Sequence, residues 1–595
     1  MSEAAIMDDA APSEKHDGSV TQRQIEQVAA SERNLAYDLD NLNPELHWRT
    51  WVAFGSICLF QMVSIVAFQG PPAVLSYLGE ALHDPASQTW IPNSLSLVQA
   101  VLGPVFSSAS DIFQARKLLL CVGCVAAVVG SGVSARSHSM ASLIAGQTVI
   151  GIGFATLPLA YVVPSEILPR KWRPFAQGLL NVFAYSGAVL GQLTMGALIK
   201  RDTLNGWRNY FWFQMAVWIM TLFGLIVGYR PPKRHTAVES LSLAKKMASL
   251  DLPGCALITT GLTLLLTGLS LGGGLYSWSN VRTVVTLVLG CVGIVAFGVY
   301  EWKGTTTGIL HHDMFRGGKS KGRTFILCCA LVLIEGILIF AYSIFYPPLV
   351  TSLFETDPFL AVAYIQPFWV VGIFSSAVYG FVSTRFKDIR RPMFVGLTIY
   401  TGAMIGLATV QPGDSLNALM FAGMAGLGFG APLILIVAGV QLAVPHRLIA
   451  SASAVIVSAR ALSGTAFTAI FSAAFNDKLT RNLPRDVGRA AAAGGLPSTS
   501  IPLFVEALAT NNQTVLLQVP GVTPEIVRLG VAAVKQAFAD SLRVVFIIAA
   551  PFGILGLVCT LFLGDLRETM NYHVDAPVEI LHAKHPDQEE IPRAA

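Results

Sequence analysis

Residues 151–171, GIGFATLPLAYVVPSEILPRK, and residues 426–447, GLGFGAPLILIVAGVQLAVPHR, open on the same glycine and aromatic pattern and close on a proline followed by a basic residue. Both are apolar through the middle, without the two-residue alternation of a half-buried strand, and both stop at cations, as a helix crossing lipid does. The two lie about 275 residues apart. A second pair repeats at about 273 residues: Ser107 to Lys117, with Asp111 and Arg116, matches Gly380 to Arg391, with Thr384 and Arg390. Two like halves in tandem are therefore expected, a construction that builds a shared cavity halfway through a membrane.

Composition agrees. The chain has 595 residues, 53% hydrophobic and only 13% charged, against roughly 25% charged in soluble domains, which excludes a water-soluble fold. Apolar runs centre on 51–70, 90–110, 117–135, 140–163, 175–199, 208–229, 253–274, 281–302, 324–347, 359–383, 392–411, 416–440, 449–475 and 541–564. Each is near the length of about 20 residues that spans a bilayer, so fourteen transmembrane helices are expected in an all-α integral membrane protein. Eight spans separate repeat equivalents, which makes the seventh and eighth an inserted pair. The expected organisation is a polar tail at 1–47, a six-helix bundle at 48–229, a linker with two helices at 230–323, a second bundle at 324–566 with a long outer loop at 476–540, and a tail at 567–595.

Loops after even-numbered spans carry about 20 Lys and Arg and those after odd-numbered spans about 5, which predicts two cytoplasmic termini. The sequon Asn512-Gln513-Thr514 falls on the predicted outside and would accept a glycan. A net charge of +4 without a dense basic run excludes a nucleic-acid partner. The eight cysteines fall in or beside spans and read as small buried hydrophobes. Gly268-Leu269-Ser270-Leu271-Gly272 spells a nucleophile elbow but ends a membrane helix. Gly317-Gly318-Lys319-Ser320 lacks the earlier glycine of a phosphate loop, and His311-His312-Asp313 is an interfacial cluster expected to be solvated. Neither an enzyme nor a cofactor or metal site is expected.

Two carboxylates close cytoplasmic helix ends, where the helix dipole disfavours them. Asp111 ends the second span beside Arg116 and Lys117; Glu166 ends the fourth beside Arg170, Lys171 and Arg173. Each needs a cation or another helix's N-terminus, which predicts either a latch that opens in one state of the protein or a static ion pair of about 0–1 kcal/mol. Glu335 lies mid-bilayer in the ninth span, where an uncompensated charge costs about 2.5–3.5 kcal/mol. Arg460 in the thirteenth span is its evident partner. Three readings follow: a carboxyl that binds and releases protons, a permanent structural pair, or two separate contacts to cargo. Gln61, Gln69, Gln147, Tyr161, Tyr185, Gln192, Tyr342 and Gln366 are candidates to line a cavity for a bulky, partly oxygenated organic molecule, each with the alternative of an interhelical hydrogen bond worth about 0.6 kcal/mol. Gly187, Gly191 and Gly196 on the fifth span predict a flat face for a neighbouring helix. Thr523-Pro524-Glu525 has the order of a helix start and predicts an amphipathic outer helix leading into the last span.

The segment from Ser107 to Lys117 resembles the loop motif G-x-x-x-D-R-x-G-R-R/K of the major facilitator superfamily, matched at Asp111, Arg116 and Lys117 and departing at Ser107, Ile112, Gln114 and Ala115. Gln147 stands where that family's second motif has an arginine. Gly178-x8-Gly187-x3-Gly191-Gln192-x2-Met195-Gly196 resembles its antiporter motif, with Gln192 and Met195 replacing a proline and a glycine. Trp207-Arg208 with Phe211, and LDLPGCALITTGLTLLLTGLSLGGG at 250–274, look like the sixth and seventh spans of fourteen-helix drug/proton antiporters. Within that group the chain most resembles fungal trichothecene efflux pumps and related siderophore transporters. The resemblance implies a major facilitator fold of two six-helix bundles plus two linker helices. It also implies proton-coupled export of a toxin or secondary metabolite across a plasma membrane, by a monomer whose partners are a small organic substrate, protons and lipid. Uptake of an iron-siderophore chelate and a transporter-like nutrient receptor are the alternatives.

Overall fold

Because lipid offers no partners for peptide groups, an apolar chain of this kind must satisfy its own backbone hydrogen bonds, and it does so with helices. The computed structural model describes residues 46, 48–85, 87–202, 204–230, 251–272, 276–305, 313–316, 318–445, 448–509 and 513–574. The tails expected at 1–47 and beyond 574, the sequon residue Asn512, His311 and His312 lie outside these, apart from Leu46. In chain order the long helices are α1 (Trp48–Gln69), α2 (Trp90–Phe113), α3 (Arg116–Ala135), α4 (Met140–Ile167), α5 (Arg173–Arg201), α6 (Gly206–Gly228), α7 (Leu252–Ser270) and α8 (Val281–Val299). They continue with α9 (Gly318–Leu353), α10 (Pro358–Phe386), α11 (Arg390–Leu407), α12 (Ser415–Ala443), α13 (Ile449–Ala493) and α14 (Pro524–Leu561). A helix thus stands at each of the fourteen expected spans. Among the described residues thirteen are long and apolar enough to cross a membrane. The exception is α11, only 18 residues long and opening on Arg390-Arg391.

Helices α1 to α6 pack on one another, as do α9 to α14, and the two sets meet chiefly where α5 lies along α10 and α2 along α13. Helices α7 and α8 pair with each other, and α7 leans on α2 and α13. Helix α8 turns Val281, Val285, Val288, Val292 and Val295 outward at helical spacing, an apolar stripe suited to lipid. Cys291 is exposed on the same helix, a correction to the expectation of uniformly buried cysteines, since an apolar thiol is equally at home against acyl chains.

Two spans differ from their expected form. Helix α4 breaks at Ala155 and Thr156, because Pro158 has no N–H for the preceding turn, and Thr156 Oγ1 donates to the Gly153 carbonyl at 2.8 Å. The stretch 476–540, expected as an outer loop that turns helical at Thr523-Pro524-Glu525, has that helix start and is largely helical before it as well. Helix α13 runs 45 residues, about 68 Å at 1.5 Å per residue, and α14 runs 38 residues from Pro524, capped by Thr523, whose hydroxyl oxygen accepts from Ile526 N at 3.3 Å. Both outlast a hydrocarbon layer of about 30 Å. Their projecting ends close with the helix Ile501–Ala509 around Val487, Ala491, Phe504 and Ile526, a small core of their own. Polarity hid this helix from an apolarity count: Asp477 and Arg481, paired i, i+4 at 2.7 Å, suit a solvated helix as well as a loop.

The helices alternate in direction, so Asp111, Glu166, Gln441 and Ser451 share one end of the molecule, here the Arg116 face. Lys200, Asp357 and the projecting ends of α13 and α14 lie at the other, the Lys200 face.

Candidate functional site

At the Arg116 face the end of α2 meets the start of α13. The chain leaves α2 through Gln114 at φ 54° and re-enters a helix at Arg116. This tight turn brings Arg116 against Asp111 Oδ1 at 2.7 Å and against the Glu166 carboxylate at the end of α4. Arg116 and Glu166 are buried and Asp111 is partly so. Asp111 Oδ2 accepts from Ser451 N at 3.3 Å and Ser451 Oγ at 3.1 Å, in the first turn of α13. Asp111 therefore has both expected partners, a cation and the N-terminus of another helix, which offset its place at a helix C-terminus.

The pseudo-equivalent contact is neutral. The chain leaves α10 through Lys387 at φ 51°, at the repeat position of Gln114. Thr384, in the repeat position of Asp111, accepts at Oγ1 from Phe175 N at 3.1 Å in the first turn of α5. Gln441 of α12, in the repeat position of Glu166, is the hub. Its Oε1 accepts from Ser165 Oγ at 2.5 Å and Gln177 Nε2 at 3.2 Å, its Nε2 donates to the Tyr161 carbonyl at 3.1 Å, and its own carbonyl accepts from Arg173 Nη1 at 2.5 Å. Apolarity and charge did not single out Gln441, Ser165 or Gln177. The offset that relates Glu166 to Gln441 is the signal that finds them.

Not every basic candidate joins this layer. Lys117 Nζ donates to the Ile226 carbonyl at 2.7 Å, capping α6 on the outside of the bundle, because it lies one residue round the helix from Arg116. Arg170 and Lys171 meet the chain beyond α14: Arg170 N donates to His573 O at 2.9 Å, Lys171 N to Asn571 O at 2.7 Å, and Lys171 Nζ to Tyr572 Oη at 2.7 Å. This strap, anchored by buried Leu566 and Met570, ties the end of the second half to the first.

Deeper in, Arg460 Nε donates to Glu335 Oε2 at 2.5 Å, with Glu335 wholly buried. Arg460 also faces the Tyr161 hydroxyl, which accepts from Gln61 Nε2 at 2.9 Å. One cation thus touches α9 and α4, from opposite halves. Tyr185 packs on Trp369, ring centroids 5.7 Å apart, and Tyr342 stacks on Phe368 at 4.3 Å. Buried polar atoms lacking a hydrogen-bond partner gather here, among them Glu335 Oε1, Arg460 Nη2, Gln61 Oε1, Tyr342 Oη, Tyr400 Oη and Trp369 Nε1. Such groups are costly unless something polar meets them.

Gln192 and Gln366 pair with each other across α5 and α10, Gln366 Nε2 donating to Gln192 Oε1 at 3.1 Å, nearer the Lys200 face. Lys200 Nζ meets Asp357 Oδ2 there at 2.9 Å. Gln147 is a correction: it turns to Ser134 Oγ on α3 at 3.5 Å, within the first half and away from the shared core. Gln69 sits half-buried at the Lys200 end of α1. The glycines of α5 serve two faces rather than one. A Cβ on Gly191 would fall 3.2 Å from Val66 of α1, whereas one on Gly178 would fall 2.8 Å from the Ser376 carbonyl of α10. Gly187 faces α1 and Gly196 faces α10. At about 100° per residue, nine positions carry Gly187 to the side of α5 opposite Gly178, and eighteen bring Gly196 back to the same side.

Two like sets of six helices with a further pair between them, meeting at a buried polar centre and closed by buried ion pairs at one end, define a membrane transporter of the major facilitator class. The profile of the fungal trichothecene efflux pump family (TRI12) matches residues 33–591, and the chain belongs to that family. It is similar to the MFS-type transporter ucsD of Acremonium sp, 25% identical over 450 residues, covering 73% of this chain and 72% of that protein. It is 24% identical over 543 residues to the MFS-type efflux pump LUC4 of Fusarium sp, with 89% and 90% covered. To the efflux pump FUS6 of Gibberella moniliformis it is 23% identical over 575 residues, with 94% and 96% covered. The protein is a multi-pass membrane transporter of the efflux-pump class, which moves small organic compounds, and not an enzyme.

Proposed function

We propose that the protein exports a bulky, oxygenated secondary metabolite across the fungal plasma membrane in exchange for protons, by alternating access, as a monomer. The Arg116 face is the cytoplasmic one and both termini lie on that side, as the asymmetry of Lys and Arg between loops implies. The six-helix halves rock about the centre they share, and the closed Arg116 face is the state that has turned its cargo outward. Asp111, Arg116, Glu166 and Arg173 hold that state shut and must part for cargo to load.

The observation that carries the proposal is the Glu335–Arg460 pair at 2.5 Å. Its members lie on different helices at the point where Tyr161 and Gln61 of the other half arrive. A proton on Glu335 would free Arg460 to move, and the half-satisfied ring around it offers a cargo both donors and an acceptor. Aromatic walls with a few convergent polar groups suit a large amphipathic ligand better than a small ion. The energetics suffice. One proton moving down about 100 mV releases about 2.3 kcal/mol, and two pH units bring the total to about 5 kcal/mol, enough for a several-thousand-fold gradient of a neutral compound.

The test is a panel of fungal metabolites in proteoliposomes with an imposed proton gradient. Glu335→Gln is expected to abolish pH-driven transport while the protein stays folded and still exchanges cargo down its own gradient. Unchanged pH dependence in that variant removes Glu335 from coupling. Proton-driven accumulation of an iron chelate in the loading direction would reverse the proposed direction.

A further inference from the structure

At the Arg116 face, between the start of α11 and the end of α14, lies a cleft of about 590 Å³ that neither the closed layer nor the polar centre uses. Lys387, Arg390, Arg391 and Arg567 stand on its walls against two acids, Asp388 and Asp565. Both acids are already engaged by their own chain: Asp388 Oδ1 accepts from Arg390 N at 2.9 Å, and Asp565 Oδ1 from Arg567 N at 2.9 Å. Their side-chain pairings are loose, 3.5 Å from Asp388 to Arg391 and 3.9 Å from Asp565 to Arg567, compared with 2.7 Å from Asp111 to Arg116. On the walls of the cleft four cations face two acids, an excess of two positive charges among the described residues.

The other wall is apolar. Phe394, Val395 and Leu561 line the cleft and remain exposed. Leu561 is the last of an outward-facing row on α14, with Ile554 and Val558, that covers the lipid-facing side of the helix. The cleft therefore straddles the level at which that apolar row gives way to charged chain at Asp565 and Arg567. Cations above and an open apolar floor below match one ligand chemistry, an anionic headgroup carrying acyl chains. A soluble anion would use the cations and leave the floor bare.

We propose that this cleft binds the headgroup of an anionic phospholipid from the leaflet at the Arg116 face. The lipid bridges α11 and α14 and presses on the segment Leu563–Arg567, which runs on into the strap that holds Arg170 and Lys171. The proposal is independent of the direction of transport and of proton coupling.

Native mass spectrometry of the full-length protein, released from micelles doped with phosphatidylinositol or phosphatidylcholine, tests it. Preferential retention of phosphatidylinositol is expected, weakened about fivefold for each cation removed in Lys387→Gln, Arg391→Gln and Arg567→Gln and in their combination. Equal retention of the two lipids, or undiminished phosphatidylinositol in the combined variant, overturns the proposal. So does glycerophosphoinositol binding as tightly as the lipid, which would make this a site for a soluble anion. Should the combined variant fail to fold, Leu561→Gln, which keeps every cation, must weaken phosphatidylinositol and leave glycerophosphoinositol unchanged; equal effects on both overturn it.

Discussion

The Arg116 face is closed by two contacts built on one plan with different chemistry. At one seam the end of α2 gives an acid, Asp111, to the first turn of α13; at the other the end of α10 gives a hydroxyl, Thr384, to the first turn of α5. Behind the first stands Glu166 paired with Arg116, and behind the second, in the same repeat position, the amide of Gln441. The geometry of closure therefore needs only an acceptor at each helix end. The carboxylates are an addition at one seam, where they pair with Arg116, and they change how it fails. A buried ion pair that loses one member leaves an uncompensated charge, whereas a lost neutral hydrogen bond strands a group of far lower desolvation cost.

That contrast can be broken by experiment. The largest effect is expected for Arg116→Leu, which removes the cation shared by the buried Glu166 and the partly buried Asp111. A loss of about 3–5 kcal/mol should appear as a clear fall in thermal unfolding temperature together with lost transport. Gln441→Leu at the seam without carboxylates should cost less, about 1–3 kcal/mol, because Ser165 and Gln177 keep the Tyr161 carbonyl at 3.4 Å and 2.8 Å and Arg173 keeps the backbone carbonyl of residue 441. Equal losses in the two variants would refute the distinction between the seams. Smaller still, Thr384→Val removes one acceptor worth about 1 kcal/mol. It should speed amide hydrogen exchange in the first turn of α5, Phe175 included, and leave the first turn of α13 unchanged.

The slightest effect belongs to the opposite face. Asp357 accepts from Leu360 N and pairs with Lys200, and these hold its carboxyl below the ordinary aspartate range. A depressed folded value means that the tie is fully present above the ordinary range and is lost only as pH falls through the lower folded value. The Lys200 face should therefore stay tied from pH 7 to about pH 5, as read by amide exchange at Phe359 and Leu360, and loosen only in stronger acid. Loosening between pH 7 and 5 would point to another titrating group at that face.

Most of the architecture was legible along the chain. Each span announces itself locally, because lipid refuses bare peptide groups and charges and so imposes apolar helices about 20 residues long. The repeat was legible for the same reason: both halves obey that constraint with the same glycine and basic punctuation. Glu335 and Arg460 could be paired in advance because two opposite charges in apolar spans have few other solutions.

What folding alone settled was the direction each polar side chain faces. Gln147 and Gln61 look alike along the chain, yet one turns to Ser134 within its own half and the other to Tyr161 at the shared centre. Arg116 and Lys117 are neighbours, but 100° of helical rotation sends one into the closed seam and the other to the Ile226 carbonyl. Gln441 became a hub only when α4, α5 and α12 converged on it. Crossing the bilayer is a demand that some twenty consecutive residues meet by themselves. Joining Asp111 to Ser451, or Glu335 to Arg460, depends on how helices hundreds of residues or several spans apart are rotated against one another, and packing sets that rotation.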